Sequence, residues 1–327
     1  MLQALIVGCG ELGSRHLQAL ATLPSVSQIE VLDPNPDSLE LGKVRVQEVL
    51  GEGPGPEIRW ITSLEEASEE GGLCVIATHA KGRCALLKLI SERLGYSSFL
   101  LEKIADQSVS ALEEAIDFCG KRNISSWVNC QTRVVPTYKR IKAILNGTGA
   151  IHFNAVGGMQ FLATNGIHTA DLFTYFDQCP SIDEEHARID PVLHRSKRGI
   201  DIYDLTGTLY GHTSRGSSLS ISCTESASPW GHFSISSSKY RCVVDHQKEW
   251  MVEAWPESDW EWQPVRFEGS LMVSRTTKEI AQQIFESGQC GLPTLEESLV
   301  SHRFILNGLL SHFRTLMGKP LKNCPVS

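Results

Sequence analysis

The chain has 327 residues, a formal net charge of −8, and 41% apolar and 21% charged residues, a globular make-up with enough length for two hydrophobic cores. Its acidic balance argues against a nucleic-acid partner, which calls for a basic footprint, and no stretch reaches the ~20 apolar residues that cross a membrane. Ten cysteines are scattered singly, with no C-x-x-C pair, so they read as reduced, mostly buried thiols of a cytoplasmic protein, with no disulfide framework and no metal site.

In chain order, residues 2–7 read as a strand, reached without the charged-then-apolar pattern of a secretory leader. A helix over 12–23 is stopped by Pro24, and a second strand covers 29–32. A helix over 38–50 closes on the breaker-rich run 51–56. A strand at 58–61 and a short acidic helix from Leu64 follow. Residues 73–78 form a continuous apolar run, the mark of a central parallel strand covered on both faces. Helix 82–94, strand 98–101, helix 108–121 and strand 124–129 complete the series. This alternation predicts an α/β Rossmann domain, a doubly wound parallel sheet, over residues 1–128.

The texture then changes. Pro136 opens a helix over 136–146 that ends before Gly147. A strand at 150–156 and a helix at 166–176 follow. From about 184 to 265 short runs alternate serine or threonine with apolar residues, at 203–210, 217–224, 232–236, 240–244 and 249–254. That period of two predicts an antiparallel sheet with one polar face. The basic cluster His194, Arg195, Lys197 and Arg198 reads as a solvated loop. Helices at 274–287 and 295–316 finish the chain. Residues 129–327 are therefore expected to form an α+β domain with a large open, mainly antiparallel sheet.

Gly8-Cys9-Gly10-Glu11-Leu12-Gly13 joins the first strand to the first helix. In such a turn the first glycine permits the bend, the second lets a pyrophosphate approach the backbone, and the third lets helix pack on strand. The helix N-terminus adds N–H groups and a positive dipole end. Glu11 and Leu12 are grouped with the cofactor site as members of the turn. Asp33 ends the second strand 20 residues after Gly13, where a carboxylate accepts from both ribose hydroxyls. It would repel a 2′-phosphate, and Pro34-Asn35-Pro36 supplies no arginine, so NAD(H) is expected over NADP(H). Ala77 and Thr78, past the fourth strand, fall at the carboxyl edge where the ligand crevice opens. His79 beside them reads equally as a loop histidine.

Two further segments carry chemistry. Phe99-Leu-Leu-Glu102-Lys103-Ile104 is a strand ending in an acid–base pair, and Asn165-Gly166-Ile167-His168-Thr169-Ala170-Asp171 places His168 and Asp171 at i, i+3 on one helix face. In this order, behind the glycine turn, they resemble the Gfo/Idh/MocA family of sugar and polyol oxidoreductases, particularly members from surface-polysaccharide and unusual-sugar gene clusters. That family has a Glu-Lys-Pro motif after the fifth strand and a Gly-x-His-x-x-Asp motif opening a helix of the second domain. Trp127-Val-Asn129 followed by Arg133, Pro136 and Tyr138 resembles its sixth-strand segment.

The resemblance implies Lys103 and His168 as the catalytic pair, and the chemistry agrees. Histidine can take a hydroxyl proton at neutral pH, and an ammonium beside the same oxygen stabilises alkoxide or polarises carbonyl. Glu102, Lys103 and Asn129 join the cofactor list. Arg133, Tyr138 and Asp171, with Lys103 and His168, are the substrate candidates: Asp171 for a sugar hydroxyl or for orienting the histidine, Arg133 for a carboxylate or phosphate. A surface salt bridge is at least as good a reading of Arg133. Two departures stand out: Ile104 replaces the family's proline, and Thr164 stands where many members carry an aspartate four residues before the histidine. The expected function is an NAD-dependent oxidoreductase acting on a CH–OH or carbonyl carbon of a sugar-type substrate. Its rivals are a non-catalytic NAD(H)-binding regulatory or scaffold protein and a reductase of C=N or C=C bonds. The resemblance also implies a homodimer or homotetramer formed through the second domain's sheet.

Overall fold

The computed structural model describes all residues except 1, 70, 159, 160, 198, 200, 228–230 and 246, and the backbone but not the side chains of 184 and 185. By its internal contacts the chain divides into two units. The first comprises the chain up to Asp106 with Ser110–Gln131 and Ser270–Glu296; the second comprises Gln107–Val109, Thr132–Gly269 and Glu297–Ser327.

The first unit is a doubly wound sheet. Its elements are β1 (Leu2–Val7), α1 (Gly13–Ala21), β2 (Val26–Leu32), α2 (Pro36–Leu50), β3 (Glu57–Ile61), β4 (Leu73–Ile76), α3 (Arg83–Leu94), β5 (Ser98–Leu101), α4 (Val109–Arg122) and β6 (Ser125–Val128). The six strands lie in the order β3-β2-β1-β4-β5-β6, and every pairing is parallel. The order reverses beside β1, which puts the β1–α1 turn at the switch point where such sheets bind ligands. The apolar run at 73–76 is fully buried, as a strand covered on both faces requires. Asn35 caps α2 by accepting from the Asp37 amide at 3.0 Å, and Pro36 occupies its first turn.

The second unit contains α5 (Pro136–Leu145), β7 (His152–Gly157), α6 (Gly166–Asp177), β8 (Asp183–Ile189), β9 (His194–Arg195), β10 (Tyr203–Asp204), β11 (Gly207–His212), β12 (Ser218–Cys223), β13 (His232–Ser236), β14 (Arg241–Asp245), β15 (Trp250–Ala254) and β16 (Gln263–Arg266). Eight strands form a sheet in the order β16-β15-β14-β13-β7-β12-β11-β8. The β12–β7 pairing is parallel and the other described pairings are antiparallel. Period-two alternation sends Phe153, Leu219, Ile221, Phe233 and Val244 to the buried face, where the Phe153 and Phe233 rings stack at 4.8 Å. Phe173 of α6 meets Phe153 edge-on at 6.3 Å, so the helix is pinned to the sheet by aromatic packing. The opposite face carries serines together with exposed Val156, Tyr210 and Trp250.

Three details differ from the sequence expectation. The run at 203–210 is two strands, broken around Leu205 and Thr206 before Gly207, whose φ of +128° suits a residue without a side chain. His194–Arg195 is not loop but a short strand paired with Tyr203–Asp204, while Arg198 lies outside the described residues. Most telling is α7 (Val273–Ser287). It packs on α1 of the first unit, and the chain after it runs beside β6: Val128 donates to the Pro293 carbonyl at 3.0 Å. A division at 128/129 does not contain this return. The amphipathic period of residues 274–287 shows that one face must be covered, not which unit covers it. The last helix, α8, spans Leu295–Met317.

Candidate functional site

The glycine turn is shaped by what each position can tolerate. Gly8 has φ +90° and lies so close to Ala77 and Thr78 that a Cβ would sit 2.9 Å from the Thr78 amide nitrogen. A Cβ on Gly13 would run into the Gly8 carbonyl, so helix and strand approach only because it is absent. At Gly10 a Cβ meets nothing within 4 Å. That open space, at the positive end of α1 and with no acidic residue in the helix's first turn, fits a dinucleotide's pyrophosphate. Leu12 is half-buried and occupies the N-cap of α1. Exposed Glu11 is drawn to Arg45, 2.6 Å from its Oε2.

Asp33 spans the turn. Its Oδ2 accepts from the Cys9 amide at 2.7 Å and its Oδ1 from the Asn35 amide at 2.9 Å. The carboxylate is thereby locked beside the glycines with lone pairs remaining for ribose hydroxyls. Cys9 is a packed thiol beneath this bond, pushed up to about 12 by burial and then by Asp33. Ala77 and Thr78 are half-buried at the end of β4, and His79 is exposed.

Glu102 and Asn129 meet at the ends of β5 and β6. Asn129 donates to Glu102 Oε1 at 2.7 Å, and His16 Nε2 lies 2.9 Å from the same oxygen. Thr277 of α7 holds the other ring nitrogen of His16 at 2.8 Å. Burial alone would raise Glu102, but the hydrogen bond and charge of His16, with Asn129 and Lys103, hold it down to about 2. Asn129 Oδ1 is buried with no partner among the described residues. Lys103 is 6% exposed, its amide donates to Glu102 Oε2 at 3.2 Å, and the Lys103–Ile104 peptide is cis.

In the second unit Arg133 and Asp171 are each other's partners. Arg133 Nε and NH2 donate to the two oxygens of Asp171 at 2.9 and 2.8 Å, and both side chains are buried. Burial pushes the Asp171 carboxyl above its ordinary range despite the guanidinium. The structure thus joins two of the substrate candidates, and the ion pair read as the alternative for Arg133 is buried rather than on the surface. Tyr138 is fully buried among Phe176, Phe233 and Phe267, and its hydroxyl has no partner among the described residues. It belongs to the aromatic core. His168 is half-buried in the first turn of α6, its amide bonded to the Asn165 carbonyl at 3.1 Å. A cavity of about 50 Å³ lies beside that turn, lined by Asn165, Gly166, Thr169, Ser222 and His232.

Three residues went unnoticed in the sequence. His16 carried a signal, a histidine on the buried side of the helix that follows the glycines. Arg83 carried none; its guanidinium reaches main-chain carbonyls around Lys103. Asp204 accepts from the Ala163 and Thr164 amides at 2.9 and 2.8 Å and from the Thr164 hydroxyl at 2.5 Å. A buried carboxylate therefore stands against Thr164 from another segment of the chain. Among the described residues no cluster could hold a metal ion, and no helix is long and apolar enough to cross a membrane.

No sequence-family model matches the chain, and no curated protein matches it in sequence. Solved structures do. A Gfo/Idh/MocA family oxidoreductase from Vibrio cholerae superposes with a TM-score of 0.68 at 16% identity, covering 98% of this chain and 100% of that one. UDP-N-acetylglucosamine 3-dehydrogenase from Acidithiobacillus ferrooxidans gives 0.71 at 13% identity over 94% and 96%. An oxidoreductase from Agrobacterium radiobacter, solved with NAD+, L-tartaric acid and magnesium, gives 0.70 at 15% identity over 93% and 94%. The likeness is one of fold: the chain has the Rossmann unit and the open-sheet unit of Gfo/Idh/MocA oxidoreductases.

Proposed function

We propose that the chain is an NAD-dependent oxidoreductase that moves a hydride between nicotinamide and a hydroxyl or carbonyl carbon of a sugar or sugar derivative. The observation that carries this reading is the glycine turn at the sheet's switch point, with Asp33 bonded across it to the Cys9 amide. Bound NAD supplies the hydride acceptor, and NADH the donor. Asp33 accepts ribose hydroxyls and disfavours a 2′-phosphate, so NAD is the preferred cofactor. His168 takes the proton of the reacting hydroxyl and returns it in the reverse direction. Lys103 holds its ammonium against the same oxygen as charge develops there. Two structural neighbours, a UDP-N-acetylglucosamine 3-dehydrogenase and an oxidoreductase solved with L-tartaric acid, support a polyhydroxylated substrate. Copies of the chain associate through the open face of the eight-stranded sheet.

The test is a fluorescence titration with NADH, followed by turnover assays on free sugars, polyols and nucleotide-linked sugars. Lys103→Ala and His168→Ala are expected to lose about 100-fold or more in turnover while still binding NADH. Wild-type turnover in both variants sinks the assigned roles. NADH binding without turnover of any sugar favours a regulatory nucleotide-binding protein instead.

A further inference from the structure

Arg83 is the first residue of α3 and is 2% exposed. Its NH1 donates to the carbonyl oxygen of Glu102 at 2.5 Å and also to that of Ile104, and its NH2 donates to that of Thr78. The three carbonyls belong to two segments. Thr78 follows β4 in the sheet, while Glu102 and Ile104 follow β5 and stand on either side of Lys103. We propose that Arg83 is the positioning residue for Lys103, an inference that rests on the oxidoreductase reading for the role of Lys103 itself.

The physical case begins with the lysine. Its ammonium sits on a flexible four-carbon stem, so its placement depends on how firmly the flanking peptides are held. One planar guanidinium holds the carbonyls of the residues on either side, Glu102 and Ile104. Arginine presents its donors in a fixed fork and stays charged at every working pH, so the hold does not slacken as pH changes. The bond to Thr78 extends it: the same fork ties the carboxyl edge of β4, beside the glycine turn, to the segment that carries Lys103. The Glu102 amide already donates to the Ile76 carbonyl at 3.0 Å, and the Arg83 fork carries that hold past the strand ends, from Thr78 to the residues on either side of the lysine.

Arg83 is not what anchors α3. The Cys84 amide donates to Asp106 Oδ2 at 3.1 Å, and the Leu86 amide to the Gly82 carbonyl at 3.0 Å. Those bonds keep the helix start in place without the guanidinium. Removing Arg83 is thus expected to loosen the 102–104 segment and leave the sheet and the glycine turn intact.

The experiment uses the full chain with [ε-13C]lysine, the Lys103 resonance being assigned by its loss in Lys103→Arg. In Arg83→Gln and Arg83→Met that resonance is expected to shift to the position of solvent-exposed lysines. With whichever sugar or polyol the wild type turns over, kcat is expected to fall about 100-fold with KM and the NADH dissociation constant within about threefold of wild type, the signature of a misplaced catalytic group. The inference is overturned if the resonance stays and kcat holds. It is equally overturned if both variants lose the fold and NADH binding together, because Arg83 is then general support for the unit. Failure of the wild type to bind NADH refutes the oxidoreductase reading, and the lysine resonance still decides whether Arg83 positions Lys103.

Discussion

Arg133 holds Asp171 through two parallel hydrogen bonds of 2.9 and 2.8 Å, and the pair is buried on the α6 side of the second unit. Removing Arg133 leaves the Asp171 carboxyl without its guanidinium in the interior, removing Asp171 leaves Arg133 only the more distant Glu297 at 3.6 Å, and removing both leaves neither charge buried. Arg133→Met and Asp171→Leu should therefore each cost about 3–5 kcal/mol, and the double variant far less than their sum. Urea unfolding of the four proteins measures it. Additive losses would mean that the two side chains act independently, as on a substrate.

The glycine turn separates folding from ligand binding. Gly13→Ala drives a methyl into the Gly8 carbonyl and is expected to lower thermal stability sharply. Gly10→Ala places its methyl in open space, so its melting temperature should match wild type while NADH binding weakens at least about tenfold. Equal NADH affinity in Gly10→Ala would show that nothing approaches the backbone there.

Asp33 should govern cofactor choice. Wild type is expected to bind NADH more tightly than NADPH. Asp33→Ser removes the carboxylate assigned above to the ribose hydroxyls and to the rejection of a 2′-phosphate. Its NADH affinity should fall and the NADH-to-NADPH ratio should approach one, read by parallel fluorescence titrations. An unchanged ratio would place the discrimination elsewhere.

Acid stability should report on Glu102. Its carboxyl lies at about 2, below the ordinary 4.5, because His16 and Asn129 favour the charged form. A depressed carboxylate stabilises the folded chain above its unfolded pKa, and that stabilisation fades as pH falls from about 4.5 through about 2. Glu102→Gln should cost on the order of 3 kcal/mol at pH 7 and almost nothing near pH 2. Denaturant midpoints against pH give the comparison, and a pH-independent cost would remove the charge from the explanation.

The open sheet face offers a test of assembly. Trp250 and Tyr210 project from it exposed. If copies associate there, Trp250→Lys with Tyr210→Asp should reduce the mass found by light scattering to that of a single chain while NADH binding persists. An unchanged mass excludes that face.

The glycine turn was legible because its information is local. The conformation of Gly8, the room at Gly10 and the closeness at Gly13 follow from side-chain size at fixed spacing, and the alternation of apolar runs with amphipathic helices specified a parallel sheet. The period-two serine runs likewise marked a sheet with one wet face. The partnerships of long side chains were not legible, since an arginine states its charge in the sequence but not its reach. Arg133 read equally as a ligand for an anion or as a surface ion pair, and nothing in the spacing pointed to Asp171, 38 residues away, as the carboxylate in its fork. Arg83 had no signal, because its partners are main-chain carbonyls that every residue owns.

By itself the sequence determined what period, residue size and breakers encode: two kinds of sheet, the glycine turn, and the acid that follows it. Only the tertiary structure decided which unit α7 joins, that His16 and Asn129 converge on Glu102, and that Tyr138 lies in an aromatic core. These are consequences of burial. A hidden polar group must find a partner or lose its hydration uncompensated, and which partner it finds depends on strand order and helix return, which spacing along the chain does not specify.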